Sequence, residues 1–327
     1  MRYETDLLYG NVKSEVLVSV IIPTYKRNDY LKGAIESVFN QDGIDDIPYE
    51  LLIISNNPND NMEKIISICR NKPVSIYRNK ENYGMISNIN LGIKHAKGKY
   101  VAFLHDDDLL LPNYFLTVIP LLKGKWDCLI TSRYIMPEEY KADFKYQVMN
   151  LFTSIRYVYR KKVTELKVDY CALSGKNIYF APTCGTIFRK SSLMEYGLFK
   201  DISGLAWDGA NFVEFNRLYK VALIHKYTGI YRIFTGVTNN MKTLTDFYEQ
   251  SVKLYKEESK NHLFLRLFKD EYDYNNIKII NPMKEHSKLK CIVYSGLTMF
   301  YYFFNNLDGT RLLPKYFYKG DRLWMQY

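Results

Sequence analysis

Hydrophobic positions in the first 131 residues switch repeatedly between two periods. Val16–Ile22 (VLVSVII) is a β-branched apolar run of the kind that forms a strand buried on both faces. Past the polar PTYKRND, residues Leu31, Ala34, Ile35, Val38 and Phe39 fall at i, i+3, i+4, i+7 and i+8, one face of a helix that Asn28 or Asp29 would cap. Glu50–Ser55 predicts a second strand, Asn56 to Asp60 a turn-rich loop, and Met62, Ile65, Ile66 and Cys69 a second helix. Val74–Tyr77 predicts a short third strand. Ile86, Ile89, Ile93 and Ala96 predict a third helix that ends at Gly98, by the preference of helix C-termini for glycine. Lys99–Leu104 predicts a fourth strand. Phe115, Val118, Ile119 and Leu122 mark the next helix, with Pro112 in its first turn, and Asp127–Thr131 a fifth strand.

Strand and helix alternating from about residue 16 to residue 131 predict an α/β fold with a mostly parallel central sheet flanked by helices. The pattern weakens between Ser132 and Phe180. It resumes with a strand at Thr186–Lys190 (TIFRK), a short helix, the segment GLAWDGANFVEFNRLYK, and two strand-like stretches, VALIHKY and YRIF. From Leu244 to Tyr327 charged and aromatic helical segments dominate. The expected organisation is one domain over residues 1–243, with halves at about 16–131 and 132–243, and a mainly helical, aromatic and basic extension over 244–327. There is no internal repeat and no low-complexity tract.

The fourth strand runs directly into Asp106, Asp107 and Asp108. Open α/β sheets bind ligands beyond the carboxyl ends of their strands, and crowded carboxylates need a cation or strong donors to stay ionised. A divalent metal holding a diphosphate is one use of such a cluster. A solvated acidic turn capping the following helix is the other, and the segment alone leaves both open.

Composition narrows the partners. The net charge of +10 and pI near 9.1 suit an anionic ligand or surface, while the lack of a Lys/Arg block gives nucleic acid no specific support. Cys69, Cys128, Cys171, Cys184 and Cys291 are odd in number and include no C-x-x-C, which argues against a zinc site or a disulfide framework and fits a reduced, cytoplasmic setting. MRYETDLLYG lacks the basic start and long apolar stretch of a signal peptide. Cys291–Phe304 is too short to cross a bilayer. It would either lie in a membrane interface, with Lys284, Lys288, Lys290, Arg311, Lys315 and Lys319 near anionic headgroups, or pack on the rest of the chain or on a second copy in a homo-oligomer.

The loops after the first four strands carry, in order, Pro23, Thr24, Tyr25 and Arg27; Ser55, Asn56 and Asn57; Asn82, Tyr83, Gly84, Asn88 and Asn90; and the acids. Each loop alone reads as an ordinary turn. Together, SVIIPTYKR, LLIISNNPND and ENYGMISNINLGIKHAKGKYVAFLHDDD resemble the family 2 glycosyltransferases of the GT-A fold. CGTIFRKSSLMEYGLFKD, WDGANFVEFNRL and YRIF resemble that family's downstream segments, so the likeness spans roughly residues 16–240.

The resemblance implies inverting transfer from a nucleoside-diphosphate sugar, with UDP the expected nucleotide, to a glycan or lipid-linked glycan at the inner face of the plasma membrane, in the building of a surface polysaccharide. It implies that Pro23, Thr24, Tyr25 and Arg27 line the base and ribose pocket, that Asn56 faces the base, and that Asn82, Gly84, Asn88, Asp106 and Asp107 complete the donor site. Asp108 would ligate Mg2+ or Mn2+, Asp208 would deprotonate the acceptor, and Gly185 and Trp207 would lie on the acceptor side, the indole stacking on a sugar. The chain departs from the family pattern where Asn56, His105, Trp207 and Phe234 or Thr235 replace an expected acid, acid, glutamate and histidine. His105 would either add a ligand to the metal or simply pack as a buried histidine, the second being the reading preferred here, and Asp208 also suits a helix cap. No Q-x-x-R-W motif is present, against a processive synthase. Two other readings stand: a sugar nucleotidyltransferase, disfavoured because PTYKRND has no glycine, and a basic membrane-peripheral scaffold.

Overall fold

The computed structural model describes residues 3–12, 15–137, 163–166, 168 and 184–233, isolated positions between 242 and 260, and the pairs 317–318 and 323–324. The chain divides into two compact units, each built from separate stretches. The first comprises Met1–Met136, Pro182–Asp201 and Leu218–Arg232; the second comprises Pro137–Ala181, Ile202–Arg217 and Ile233–Tyr327.

The first unit carries β1 (Thr5–Gly10), β2 (Val18–Thr24), α1 (Asn28–Phe39), β3 (Tyr49–Ser55), α2 (Glu63–Ile68), β4 (Val74–Asn79), α3 (Met85–His95), β5 (Tyr100–Phe103), β6 (Leu109–Leu110), α4 (Tyr114–Leu122) and β7 (Cys128–Pro137). After β8 (Val163–Leu166), which belongs to the second unit, it continues with β9 (Ile187–Arg189), α5 (Lys190–Tyr196) and β10 (Val221–Ile233). The second unit holds α6 (Trp207–Leu218). All five strands and four helices expected in the first 131 residues are present. Their apolar positions form the core: Val20, Ile21 and Ile22 of β2, Leu51–Ile54 of β3, and Leu31, Ala34, Ile35 and Val38 of α1 are buried.

The sheet runs β1-β4-β3-β2-β5-β9-β7-β10-β6. The α/β class is as expected, and β4, β3, β2 and β5 pair in parallel. β1 joins β4 antiparallel, and β9 runs antiparallel to both β5 and β7. The expected fifth strand, β7, is thus separated from β5 by a strand that arrives some fifty residues later. A strand's own residues state its burial, not its neighbour's direction. VALIHKY and the YRI of YRIF, read as two strands, are one continuous β10. Leu109–Leu110, with no periodicity of its own, becomes a strand because it pairs with Ile230 and Gly229 of β10.

Three helix boundaries differ from expectation. α1 already includes Asn28 and has Arg27 as its N-cap, with no side-chain capping bond, so neither Asn28 nor Asp29 caps it. α4 begins at Tyr114 with Asn113 as its N-cap, so Pro112 precedes it, and Pro120 sits inside it. α3 ends at His95 because Ala96 turns to extended backbone (φ −57°, ψ 132°). Gly98 is needed for a different reason: a Cβ there would lie 2.6 Å from the Ser19 backbone nitrogen, while its N–H donates to the Ser19 hydroxyl at 2.8 Å. Gly98→Ala is therefore expected to cost about 1–3 kcal/mol through overpacking, seen as a lower urea midpoint. An unchanged midpoint would mean that the β2 approach is not tight.

Beyond Ile233 the described residues among 242–257 are helical, and β11 (Phe317–Tyr318) pairs antiparallel with β12 (Leu323–Trp324). Cys291–Phe304 and the six basic residues proposed for a membrane surface lie outside the described residues, as do Phe234 and Thr235 and most of 132–183. Among the described residues, no helix is long and apolar enough to cross a membrane. Cys69, Cys128 and Cys184 are free and buried.

Candidate functional site

The parallel register brings four strand ends to one edge. Thr24 pairs with Ser55, Ser55 with Arg78, and Ile21 with Phe103, so the loops after β2, β3, β4 and β5 leave the sheet together. Pro23 is tolerated in β2 because it follows Ile21, the last residue paired with β5, whose carbonyl accepts the Leu104 N–H; beyond that point no ladder partner is lost. Polar side chains then tie the loops to one another. The Thr24 hydroxyl donates to Asp106 Oδ2 at 2.7 Å, and the Arg27 guanidinium to Asp107 Oδ2 at 2.5 Å. Asp60 accepts from the Ser55 hydroxyl at 2.6 Å and from the Asn28 amide at 3.1 Å. Tyr25 stands exposed at this edge.

The acids occupy a tight turn closed by the Asp108 N–H donating to the His105 carbonyl at 3.1 Å. They cap no helix, since α4 starts only at Tyr114. Nor is the turn solvated: Asp106 is 6% exposed and Asp108 0%. The capping alternative is set aside on both counts. Burial pushes the Asp106 carboxyl up to about 6, with the Asp107 charge adding to it against the Thr24 hydroxyl and Arg27. Burial pushes Asp108 up to about 8, Asp107 again adding and the Arg232 N–H, Arg133 and Arg232 opposing.

Asp108 carries the most telling detail. Its Oδ1 accepts the Arg232 backbone N–H at 3.1 Å, but its buried Oδ2 has no hydrogen-bond partner among the described residues. Leaving such an oxygen ionised and unpaired is costly. His105 Nδ1 lies 4.0 Å from that oxygen, and ligand atoms of His105, Asp107 and Asp108 all lie within 4.8 Å of one another. This donor set fits a divalent cation. His105 is half-buried and sits at this cluster, and burial lowers its pKa, which favours the neutral imidazole.

Sequence reasoning missed Arg232. Beyond its N–H to Asp108, its Nε donates to the Asp107 carbonyl, its guanidinium lies 5.4 Å from the Tyr30 ring centroid, and its buried Nη2 has no hydrogen-bond partner among the described residues. YRIF read as a strand, and nothing in the sequence placed that strand beside the acids. Arg78 was missed too: it is the penultimate residue of β4, pairs with Ser55 at the same edge and donates to the Asp60 carbonyl at 3.3 Å.

The asparagines serve the loops themselves. Asn56 Oδ1 accepts from Asn79 Nδ2 at 2.8 Å and from the Tyr83 N–H at 3.0 Å, and its amide donates to Asn82 Oδ1 at 2.6 Å. That Asn82 oxygen also accepts the Gly84 N–H. Asn88 is buried between Asn79 and the Ile54 carbonyl. These residues hold the rim between β3 and α3 in shape.

The acceptor-side expectations fare differently. Gly185 has φ +80°, and a Cβ there would meet Thr131 Oγ1 at 3.0 Å and the Tyr114 ring at 3.2 Å, so its backbone requires glycine. Trp207 is buried at 4% exposure, leaving no open ring face for a sugar; its carbonyl accepts the Asn211 amide at 2.7 Å. Asp208 lies in the first turn of α6, half-buried, with the Gly209 N–H on its Oδ1 at 2.7 Å. It is inside the helix rather than at its N-cap.

A mixed sheet, parallel where its strand ends gather and closing on a buried acidic turn, is the architecture of the GT-A sugar transferases. The sequence profile of glycosyl transferase family 2 matches residues 19–197, more than half of the chain, and the chain belongs to that family. An uncharacterised glycosyltransferase of Rickettsia bellii is 37% identical over 114 residues, covering 34% of this chain but 16% of the relative. Two further Rickettsia relatives are likewise covered over only 16% of their length. The poly(ribitol-phosphate) β-N-acetylglucosaminyltransferase TarP of Staphylococcus aureus is 27% identical over 267 residues, 75% of this chain and 76% of TarP. The crystal structure of S. aureus TarS 1–349 with UDP-GlcNAc shares the fold at 16% identity, covering 87% of this chain and 81% of that one, with a TM-score of 0.57. The mannosyltransferase PcManGT of Pyrobaculum calidifontis, in complex with GDP-Man and Mn2+, matches 85% of this chain and 78% of its own at a TM-score of 0.51 and 13% identity.

Proposed function

We propose that this chain is a metal-dependent inverting glycosyltransferase. It moves a sugar from a nucleoside-diphosphate donor, UDP-linked, to a hydroxyl of a glycan or lipid-linked glycan destined for a surface polysaccharide. The observation that carries this reading is the buried, partnerless Asp108 Oδ2 in a turn it shares with His105 and Asp107, at the carboxyl edge of the parallel strands. The donor assignment draws support from the UDP-GlcNAc bound by TarS, and the polymer assignment from the poly(ribitol-phosphate) acceptor in TarP's name.

His105, Asp107 and Asp108 are the residues that would hold the cation. When bound, it supplies charge neutralisation to the departing diphosphate. Arg27 holds Asp107 in place, and Arg232 fixes the turn from the other side. Thr24, Tyr25 and Arg27 line the entry for base and ribose, and the Asn56–Asn82 pair sets the rim. Asp208 takes the proton from the acceptor hydroxyl as its oxygen bonds to the anomeric carbon and the bond from that carbon to the diphosphate breaks, which inverts the anomeric centre.

The test is a thermal-shift and turnover screen of UDP-, GDP- and CDP-sugars with the purified chain, with Mn2+ or with EDTA. The expected result is stabilisation by a UDP-sugar that requires the metal, with release of UDP. Failure of every nucleotide sugar to bind in the presence of Mn2+ would remove the proposal.

A further inference from the structure

We infer that His105 is a nitrogen ligand that tunes the cation site toward first-row transition ions, Mn2+ among them, and away from Mg2+. This rests on the metal-dependent reading above and deepens it. His105 stands where the family pattern has an acid, so the site draws one imidazole and two carboxylates from the same tight turn. The separation between His105 Nδ1 and Asp108 Oδ2, 4.0 Å, is too long for a hydrogen bond. It is within the reach of one ion, since two metal–ligand bonds of about 2.1 Å set an upper limit of about 4.2 Å between donors. The independent sign of a ligand is the Asp108 Oδ2 atom, which is buried, lacks any hydrogen-bond partner among the described residues, and faces that imidazole nitrogen.

Selectivity follows from the donor chemistry. Mg2+ demands near-ideal octahedral oxygen coordination and gives up its waters reluctantly. Imidazole nitrogen suits Zn2+, Fe2+ and Ni2+ best, while carboxylate and water suit Mg2+, Ca2+ and Mn2+ alike, so a nitrogen donor is what can separate a transition ion such as Mn2+ from Mg2+. Exchanging one acid for a neutral imidazole also removes a negative charge from the donor set, which weakens the hold on a hard ion more than on one that gains from nitrogen. The surrounding guanidiniums of Arg27, Arg133 and Arg232 act in the same direction, since their charge opposes any dication and leaves directional ligand bonds to decide.

The test uses Mn2+ with UDP as the probe and electron spin-echo spectroscopy as the readout, so it does not depend on turnover. The full chain is expected to show nitrogen modulation from one directly bound imidazole, absent in His105→Ala and His105→Asp. In competition titrations His105→Asp, which restores an all-carboxylate set and is checked for an intact fold by circular dichroism, is expected to lower the Mn2+ over Mg2+ preference about 10-fold or more. Mn2+ bound without nitrogen modulation, or with an unchanged Mn2+ over Mg2+ ratio in His105→Asp, overturns this inference and leaves the glycosyltransferase reading standing. If Mn2+ does not bind even with UDP present, the metal-dependent reading falls, and this inference with it.

Discussion

Asp108→Asn is expected to uncouple nucleotide binding from divalent cations. The parent's affinity for a UDP-sugar should collapse on adding EDTA, and the variant's should be weak and indifferent to it. Loss of outer-sphere partners alone commonly costs metal sites about 10- to 100-fold in affinity, and Asp108 donates the buried, partnerless oxygen itself, so a loss of at least ~100-fold is the expected scale. Asparagine keeps the size of the side chain and an oxygen for the Arg232 N–H, so the fold should survive.

The same variant has an opposite effect on the metal-free protein. Asp106 and Asp108 are held up to about 6 and about 8 by burial, against roughly 3.9 in an unfolded chain. Between about pH 4 and pH 8 the folded chain keeps protons that the unfolded chain has released, so stability is fully present below that window and is lost as pH rises through it. Asp108→Asn removes the larger part of this loss. At pH 8 in EDTA the variant should melt above the parent, and with saturating Mn2+ the order should reverse. Parallel melting curves under both conditions would show that the Asp108 carboxylate is neither strained by burial nor relieved by a cation.

Asp208→Asn should leave UDP-sugar affinity within about twofold and cut turnover by about 10²–10⁴, the usual worth of a positioned general base. Asparagine can still accept the Gly209 N–H, so the first turn of α6 should stay formed. A variant of full activity would remove Asp208 as the base. One that fails to bind nucleotide would mark it as a structural residue instead. A separation of turnover from binding is the signature that distinguishes the chemical role, because a helix-capping or packing defect would lower both.

The nucleotide half of the site was legible in the sequence to different depths. Val18–Thr24, Tyr49–Ser55 and Tyr100–Phe103 are buried on both faces, so they read as unbroken apolar runs. Their loops could then be ordered along the chain before any contact was known. The acids at the end of β5 stood out for the same reason. What could not be read was which alternative they served, because Asp108 is fully buried and meets the Arg232 N–H of β10, which lies far beyond it in the chain. Asn56 was read as facing a base, yet most of its hydrogen-bonding capacity is taken by Asn79, Asn82 and Tyr83. Trp207 was read as a sugar platform and proves buried, since an indole next to a charged residue gives no local sign of its exposure.

By itself, then, the sequence determined the local elements, the class of fold and the family, because periodicity and loop order are properties of neighbouring residues. The tertiary structure alone decided that β9 enters the sheet antiparallel between β5 and β7, that Leu109–Leu110 is a strand, that Gly98 is small to admit β2, and that Arg232 meets the acidic turn from 124 residues away. Each of these depends on a partner far along the chain. Burial, the quantity that sets the pKa of Asp108 and leaves its second oxygen without a donor, exists only once those distant segments have packed.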